Sequence, residues 1–234
     1  MRHWERANKI NVTMQTHERE RTSRMLKRTL DIVLSVSLLI VLLPLMVIIA
    51  ILIKLDSRGP VCFIQERLGK DGVPFRMYKF RTMQEAAEKV GTGLCSYEND
   101  PRITRLGRWL RLVSVDEFPQ LLNVIRGQMS IVGPRPPVTY ELGNYNDLSS
   151  RNRLRFRVKP GITGLAQVSG RNALDWNTKI AFDNNYVALT RQYGIAIDIK
   201  ILLLTVWVVA SMQNVVERAN EPMIETSPTS KQTN

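Results

Sequence analysis

IVLSVSLLIVLLPLMVIIAILI, residues 32–53, is the stretch whose reading decides the kind of fold. Its twenty-two positions hold no charge, and a helix that long can reach across a bilayer. The run begins after a long polar stretch, and no small-residue cleavage site follows it. Both features set it apart from a cleavable signal peptide. Two others complicate a simple crossing. Pro44 lies inside the run, where it removes a helical hydrogen bond and crowds the preceding turn. Both flanks are basic, with Arg21, Arg24, Lys27 and Arg28 before the run and Lys54, Arg58, Arg67 and Lys70 after it. Basic flanks are retained in the cytoplasm. A re-entrant helix, broken at Pro44, suits both flanks; a spanning helix suits only one. The residues alone leave the two open. Asp31, at the head of the run, is expected to pair with Lys27 or Arg28 at headgroup level.

Working outward, the 234 residues allow one domain of moderate size with an appended segment. The net charge of +12 points to an anionic partner: nucleic acid, anionic lipid or a phosphorylated substrate. Nucleic acid is disfavoured, because aromatics make up only 7% and do not interleave with the basic loops as stacking platforms would. The two histidines, His3 and His17, precede the apolar run, which excludes a histidine-based triad or zinc site. Cys62 and Cys95 have no metal-ligand spacing and fit a reduced, cytosol-facing location. There is no Walker loop and no GxGxxG fingerprint.

The expected organisation is a flexible arm over residues 1–24, a membrane helix over 25–54, a catalytic domain over 55–212 and a disordered tail over 213–234. Within the domain, VCFIQ and VPFRMYKF flank Gly69-Lys70-Asp71-Gly72 and predict a hairpin. A short helix is expected over 84–90 and a loop over 91–101. Residues 102–113 have helical spacing, with Leu106, Trp109, Leu110 and Val113 on one arc and Arg105, Arg108 and Arg111 on the other. That pattern suits a helix lying in the membrane interface. A helix over 117–126 ends at Gly127. Strands are expected at 130–132 and 165–168, and helices at 176–192 and 195–212. The last is apolar but interfacial, since its uncharged stretch is too short to span. The fold class is α+β: a monotopic membrane protein with one membrane helix, amphipathic interfacial helices and a small cytosolic catalytic domain with short strands.

The chemistry centres on Ser114-Val115-Asp116-Glu117-Phe118-Pro119-Gln120-Leu121. Ser114 and Glu117 have capping-box spacing, and Asp116 is the alternative N-cap. Either register puts both carboxylates at the positive end of a helix dipole, which favours an ionised, nucleophilic Asp and an incoming phosphate. An ordinary charged helix cap has the same pattern. Basic residues recur at loops and element ends: Lys79, Arg81, Arg102, Arg135, Arg155, Arg157, Lys159 and Arg171. Taken singly, each suits a solvated surface. Gly133-Pro134-Arg135-Pro136 is more specific, because flanking prolines fix the direction in which Arg135 offers a bidentate phosphate contact. Lys159 sits likewise beside the Pro160-Gly161 turn. A carboxylate pair in a basic pocket near a membrane fits phosphoryl transfer, with a second carboxylate able to hold Mg²⁺.

KRTLD (27–31), QERLG (65–69), FRMYKFRTM (75–83), DPRITRLGRWLR (100–111), SVDEFPQLLNVIRGQMSIVGPRPP (114–137), VKPGITGLAQVSGRN (158–172) and the D-x-x-Y of Asp183 to Tyr186 stand in a definite order. Over residues 27–210 the chain resembles the bacterial sugar transferases, in their small monotopic phosphoglycosyl transferase form. The resemblance implies a re-entrant membrane helix broken at Pro44 and a catalytic domain on the cytoplasmic face of the bacterial inner membrane. It implies Asp116 as a nucleophile that takes a sugar phosphate from a UDP-sugar and releases UMP, and Glu117 as a Mg²⁺ ligand. Polyprenyl phosphate from the bilayer is then the second substrate, and Lys79, Arg81, Arg135, Arg157 and Lys159 are the expected substrate-binding cations. Membrane lipids are expected partners, nucleic acid is not, and a homo-oligomer is left open. The implied product begins a surface glycan, an exopolysaccharide or a lipopolysaccharide. One departure concerns the helix break: relatives often have Ser before the proline, and here the residue is Leu43. The multi-spanning N-terminal region of larger relatives is not expected.

Overall fold

The computed structural model describes residues 2–85, 87, 100–170 and 173–211, with side chains from residue 21 onward. The loop expected over 91–101, most of the helix expected over 84–90, Arg171 and the tail therefore fall largely or wholly outside the described residues.

Helix α1 runs Arg2–Asp56 without interruption. The arm expected over 1–24 thus has helical backbone, in keeping with its Arg, Glu, Lys, Gln and Met content. Pro44 lies inside α1, which continues through it as one element. A proline removes one hydrogen bond, here the one that would reach the Ile40 carbonyl, and the bonds on both sides can survive it.

From Arg21 to Asp56 the helix is long and apolar enough to cross a membrane. Only one narrow stripe of it faces protein. Asp31, Ser35, Ile49 and Ile53 are buried, with Leu39, Leu42 and Met46 half-buried between them. The steps of three and four residues keep all seven on one face. The other faces are apolar and open: Ile40, Val41, Leu43, Val47, Ile48 and Ile51 each expose more than half their surface.

Strands β1 (Cys62–Leu68) and β2 (Pro74–Phe80) form the expected antiparallel hairpin, Cys62 opposite Phe80. Its turn uses positive φ at Asp71 and Gly72. Alternation along β2 sends Phe75 and Met77 into one core and Phe80 into another. Lys79 shares the parity of Phe75 and Met77, so it ends that face beyond the apolar pair. Arg81, just past β2, is buried. It donates to the Ser57 carbonyl at 2.7 Å, the Ser57 hydroxyl at 2.9 Å and the Arg58 carbonyl at 2.6 Å. It therefore secures the chain leaving α1, where a substrate contact had been expected of it. Removing such charged hydrogen bonds costs about 1–3 kcal/mol. Arg81→Met should lower the melting temperature by several degrees, which a thermal melt checks.

Helix α2 (Arg105–Leu112) is capped by the Thr104 hydroxyl, which accepts from Gly107 N. Gly107 packs against Thr82, where a Cβ would meet the Thr82 carbonyl oxygen at 2.0 Å. The expected arcs hold in part: Leu106, Leu110 and Val113 pack inward, and Arg105 and Arg108 are exposed. Leu110 is fully buried against Ile49, Ile53, Phe80 and Val115, whereas Trp109 and Leu112 are exposed. Arg111 points inward and donates to the Thr82 hydroxyl at 2.8 Å.

A 3₁₀ segment, Val115–Gln120, leads into the short α3 (Leu121–Ile125), and Gly127 then takes positive φ. Strand β3 (Ser130–Val132) precedes α4 (Ser150–Arg153), a four-residue turn of helix. Strand β4 (Gly161–Thr163) runs parallel to β3, and α5 (Leu165–Ser169) occupies the place expected for a strand. Short apolar runs of this kind do not distinguish strand from helix by pattern; here Gly161-Ile162-Thr163 already fills the position beside β3. Where β3 ends, Gly133 lies so close to β4 that a Cβ would meet the Lys159 carbonyl oxygen at 2.4 Å. Helices α6 (Trp176–Tyr193) and α7 (Ile195–Ala210) close the domain. Tyr186, Ile197 and Ile201 complete the core around Phe75, Met77, Val124, Met129, Ile131 and Val132. Leu203, Val206 and Trp207 of α7 stay exposed.

Candidate active site

The chain turns sharply between α2 and the 3₁₀ segment. Ser114 makes that turn with φ of 58°, a conformation uncommon outside glycine. Its side chain caps no helix, so the expected capping box does not form. The Glu117 carboxylate turns instead to two cations. Lys79 Nζ donates to Oε1 at 2.9 Å, and Arg135 Nη1 donates to the same oxygen at 3.1 Å. Asn123, fully buried, aligns the partners. Its Oδ1 accepts from Tyr78 N at 3.1 Å and its Nδ2 donates to the Arg76 carbonyl at 2.7 Å, pinning α3 to β2. Lys79 thereby faces Glu117.

Asp116 is buried beside this cluster. Burial pushes its carboxyl up to about 6; Lys79 opposes the rise, and the negative charge of Glu117 adds to it. Burial would raise Glu117 as well, but Lys79 and Arg135 outweigh it and hold that carboxyl at about 2. Lys79 is shifted down by its own burial, against the pull of Glu117. Two adjacent carboxylates are thus driven apart. One is a fixed anion that organises the cations; the other sits near neutrality, poised to gain from any added positive charge.

Arg135 is held from behind. Arg155, almost wholly buried, donates Nη2 to the Arg135 carbonyl at 2.6 Å and forms an ion pair with Asp183 at 2.8 Å. Its guanidinium lies 5.5 Å from the Phe156 ring centroid and 5.2 Å from that of Trp176. Arg157 and Lys159 are the expected substrate cations of this basic run. Arg157 is exposed and has no hydrogen bond among the described residues. The signal for Arg155 was Asp183: a buried acid in the middle of a helix requires a buried cation.

Lys159 lies away from the pair. Its ammonium is beside Gly127 and Arg28, at the start of the membrane segment, and burial followed by the Arg28 charge lowers its pKa. Of the predicted set, the structure brings together Asp116, Glu117, Lys79 and Arg135. It separates Arg81 and sets Lys159 next to α1.

Mg²⁺ fits this donor set. Among the described residues no cluster of three or more acidic, His or Cys side chains forms. A magnesium ion that binds substrate phosphates needs only one or two protein carboxylates, the rest of its shell being phosphate and water oxygens. Asp116 and Glu117 supply that number, and the raised Asp116 is where added positive charge has most effect.

The sequence is similar to known sugar transferases. The family described as "Bacterial sugar transferase" matches residues 22–212. The chain is 44% identical over 191 residues to the UDP-glucose:undecaprenyl-phosphate glucose-1-phosphate transferase of Escherichia coli (strain K12), covering 79% of this chain and 40% of that protein. It is 41% identical over 210 residues to the undecaprenyl-phosphate galactose phosphotransferase of Salmonella typhimurium, covering 84% of this chain and 43% of that one. With the exopolysaccharide production protein ExoY of Sinorhizobium fredii, identity is 39% over 194 residues, 77% of this chain and 83% of that one. The match thus covers less than half of the first two relatives and most of the third.

Proposed function

The chain belongs to the bacterial sugar transferase family, and from that membership we propose that it transfers a sugar-1-phosphate from a UDP-sugar to a polyprenyl phosphate such as undecaprenyl phosphate. The observation that carries the reading is the four-residue cluster of Asp116, Glu117, Lys79 and Arg135, with two carboxylates of opposite pKa shift. Names of relatives that act on undecaprenyl phosphate support the acceptor, and those that name UDP-glucose or galactose support a hexose donor.

In the first step, an ionised Asp116 oxygen attacks the phosphorus that bears the sugar. A bond forms between Asp116 and that phosphorus, and its bond to the bridging oxygen breaks. The electron pair leaves with that oxygen as UMP. Arg135 and Lys79 take up the diphosphate charge, in part by releasing Glu117. In the second step, a phosphate oxygen of the polyprenyl phosphate attacks the same phosphorus. It expels the Asp116 carboxylate and completes the lipid diphosphate sugar. Asp116 and Glu117 would hold Mg²⁺, which supplies charge neutralisation at the diphosphate.

The site works at a bilayer surface in this reading. A spanning helix would part from its cytosolic domain at the headgroups. Here the stripe from Asp31 to Ile53, about 33 Å of helix, faces the domain along its whole length. That favours α1 bending at Pro44 and entering and leaving on one side, re-entrant and monotopic, with the catalytic domain on the cytoplasmic face. Exposed Trp109, Leu112, Leu203, Val206 and Trp207 suit burial at the interface.

The test is UMP release by the protein in nanodiscs from UDP-glucose and UDP-galactose, with and without undecaprenyl phosphate. Lipid-linked product from either donor is expected; retention of both donors unhydrolysed with acceptor and Mg²⁺ present would contradict the proposal. Arg135→Ala should raise KM for the accepted donor by about 10- to 100-fold, since a charge-assisted contact contributes about 1.5–3 kcal/mol. An unchanged KM would assign Arg135 to structure alone.

A further inference from the structure

Lys27, Arg28 and Asp31 read in the sequence as the basic edge of a membrane segment, yet each has a definite partner in the domain. Asp31 is buried and pairs with neither basic neighbour, contrary to expectation. Its Oδ1 accepts from Ile131 N at 3.0 Å and from the Ser130 hydroxyl at 3.1 Å. Lys27 Nζ donates to the Val132 carbonyl at 3.1 Å and to Asp198 Oδ2 at 2.7 Å. The Tyr186 hydroxyl donates toward the same two groups, Val132 O at 3.0 Å and Asp198 Oδ1 at 2.7 Å. Arg28 caps the end of α3 through the carbonyls of Val124 and Ile125.

These contacts finish strand β3. Its Ser130 amide bonds to the Pro160 carbonyl, and the Gly133 amide that follows it bonds to Thr163, both on the β4 side. The intervening Ile131 amide and Val132 carbonyl point the other way and are completed by α1. Without α1, a backbone amide, a carbonyl and the Asp198 carboxylate in the domain interior would each lose a partner, and such losses are costly. Val132 lies three residues before Arg135, and Pro134 gives little freedom between them. The position of β3 therefore sets the position of Arg135.

We propose that Lys27 and Asp31 are positioning residues, through which the membrane helix holds β3 and Arg135 in the working arrangement, so that the phosphate-binding loop is complete only while α1 is docked. The kinetic side of this rests on the role proposed above for Arg135; the structural side does not.

The test uses the whole chain in nanodiscs, with Asp31→Ala, Lys27→Met, Lys27→Arg and the double variant Lys27→Met/Asp198→Leu. The double variant removes the ion pair without stranding a buried charge. Amide hydrogen exchange over residues 130–135 should quicken about tenfold or more in Asp31→Ala and in both Lys27→Met variants, with the hairpin over 62–80 unchanged and the protein still membrane-bound. Lys27→Arg should recover much of the protection. UMP release from UDP-glucose or UDP-galactose should fall about tenfold in Lys27→Met. Adding Arg135→Ala to Lys27→Met should cost far less than it costs alone, because residues acting through one element are not additive. Unchanged exchange over 130–135, or loss of activity fully additive with Arg135→Ala, overturns the proposal. A wild-type protein that releases no UMP from either donor sinks the catalytic reading instead, and the exchange measurement still decides whether α1 holds the strand.

Discussion

Asp116→Asn stops UMP release from the UDP-sugar, with or without a lipid acceptor, by at least about four orders of magnitude. A missing nucleophile leaves only binding and charge stabilisation to act on the donor. The size of the loss separates this role from electrostatic assistance, which is commonly nearer two to three orders. Unfolding would not explain it. Burial raises the Asp116 carboxyl from 3.8 to about 6, so the folded state binds its proton more tightly than the unfolded chain. Ionisation therefore costs stability as the pH rises through that interval, and the cost is constant above it. Asn removes the cost, so the variant should melt at the wild-type temperature or higher at pH 7.5. The same protonation shapes the wild-type pH profile: kcat/KM for the donor should fall tenfold per unit on the acid side, as Asp116 takes up its proton, and a higher Mg²⁺ concentration should move that limb to lower pH. Full activity of Asp116→Asn would refute the nucleophile assignment.

Glu117→Gln has the second-largest effect. It leaves Lys79 and Arg135 without the carboxylate that both now contact at Oε1, and it removes one of the two carboxylates suited to Mg²⁺. A fall in kcat of about 10²–10³ is expected, the scale of losing one organised electrostatic element. A second consequence has the opposite sign. Glu117 is among the groups that raise Asp116, so without Mg²⁺ the Asp116 carboxyl of the variant should titrate at lower pH than that of the wild type, which carboxylate NMR reads directly. EDTA should stop the wild type and slow the variant little further. A variant with wild-type rate and an unmoved Asp116 titration would leave Glu117 as a structural cap.

Much of this arrangement was legible from the chain. Local signals were sufficient for the hairpin around Gly69-Lys70-Asp71-Gly72, for α6 and α7, and for the placing of Asp116, Glu117 and Arg135 in one short run. Side chains whose function depends on a distant element were misread. Arg81 resembles Lys79 in sequence, but parity along β2 sends one to Glu117, and the chain beyond the strand sends the other to the end of α1. Gly107 could not announce that Thr82 would press against it, and Trp109 stays exposed while Leu106, Leu110 and Val113 of the same arc pack on the core. Asp31 and Lys27 look like headgroup charges because their partners, Ile131 and Asp198, lie 100 and 171 positions away. In the 165–168 run, pattern alone did not separate helix from strand; occupation of the β3 edge by Gly161–Thr163 did.

The central claim is that Asp116 carries the sugar phosphate between donor and lipid. Peptide mass spectrometry of the wild-type protein, quenched in acid after incubation with Mg²⁺ and the accepted UDP-sugar in the absence of polyprenyl phosphate, tests it most directly. The account predicts a mass increase equal to one sugar phosphate on the peptide containing Asp116, localised to that residue, lost on adding undecaprenyl phosphate and absent from Asp116→Asn. Turnover of the donor with that peptide unmodified throughout, or with the adduct on another residue, would contradict it.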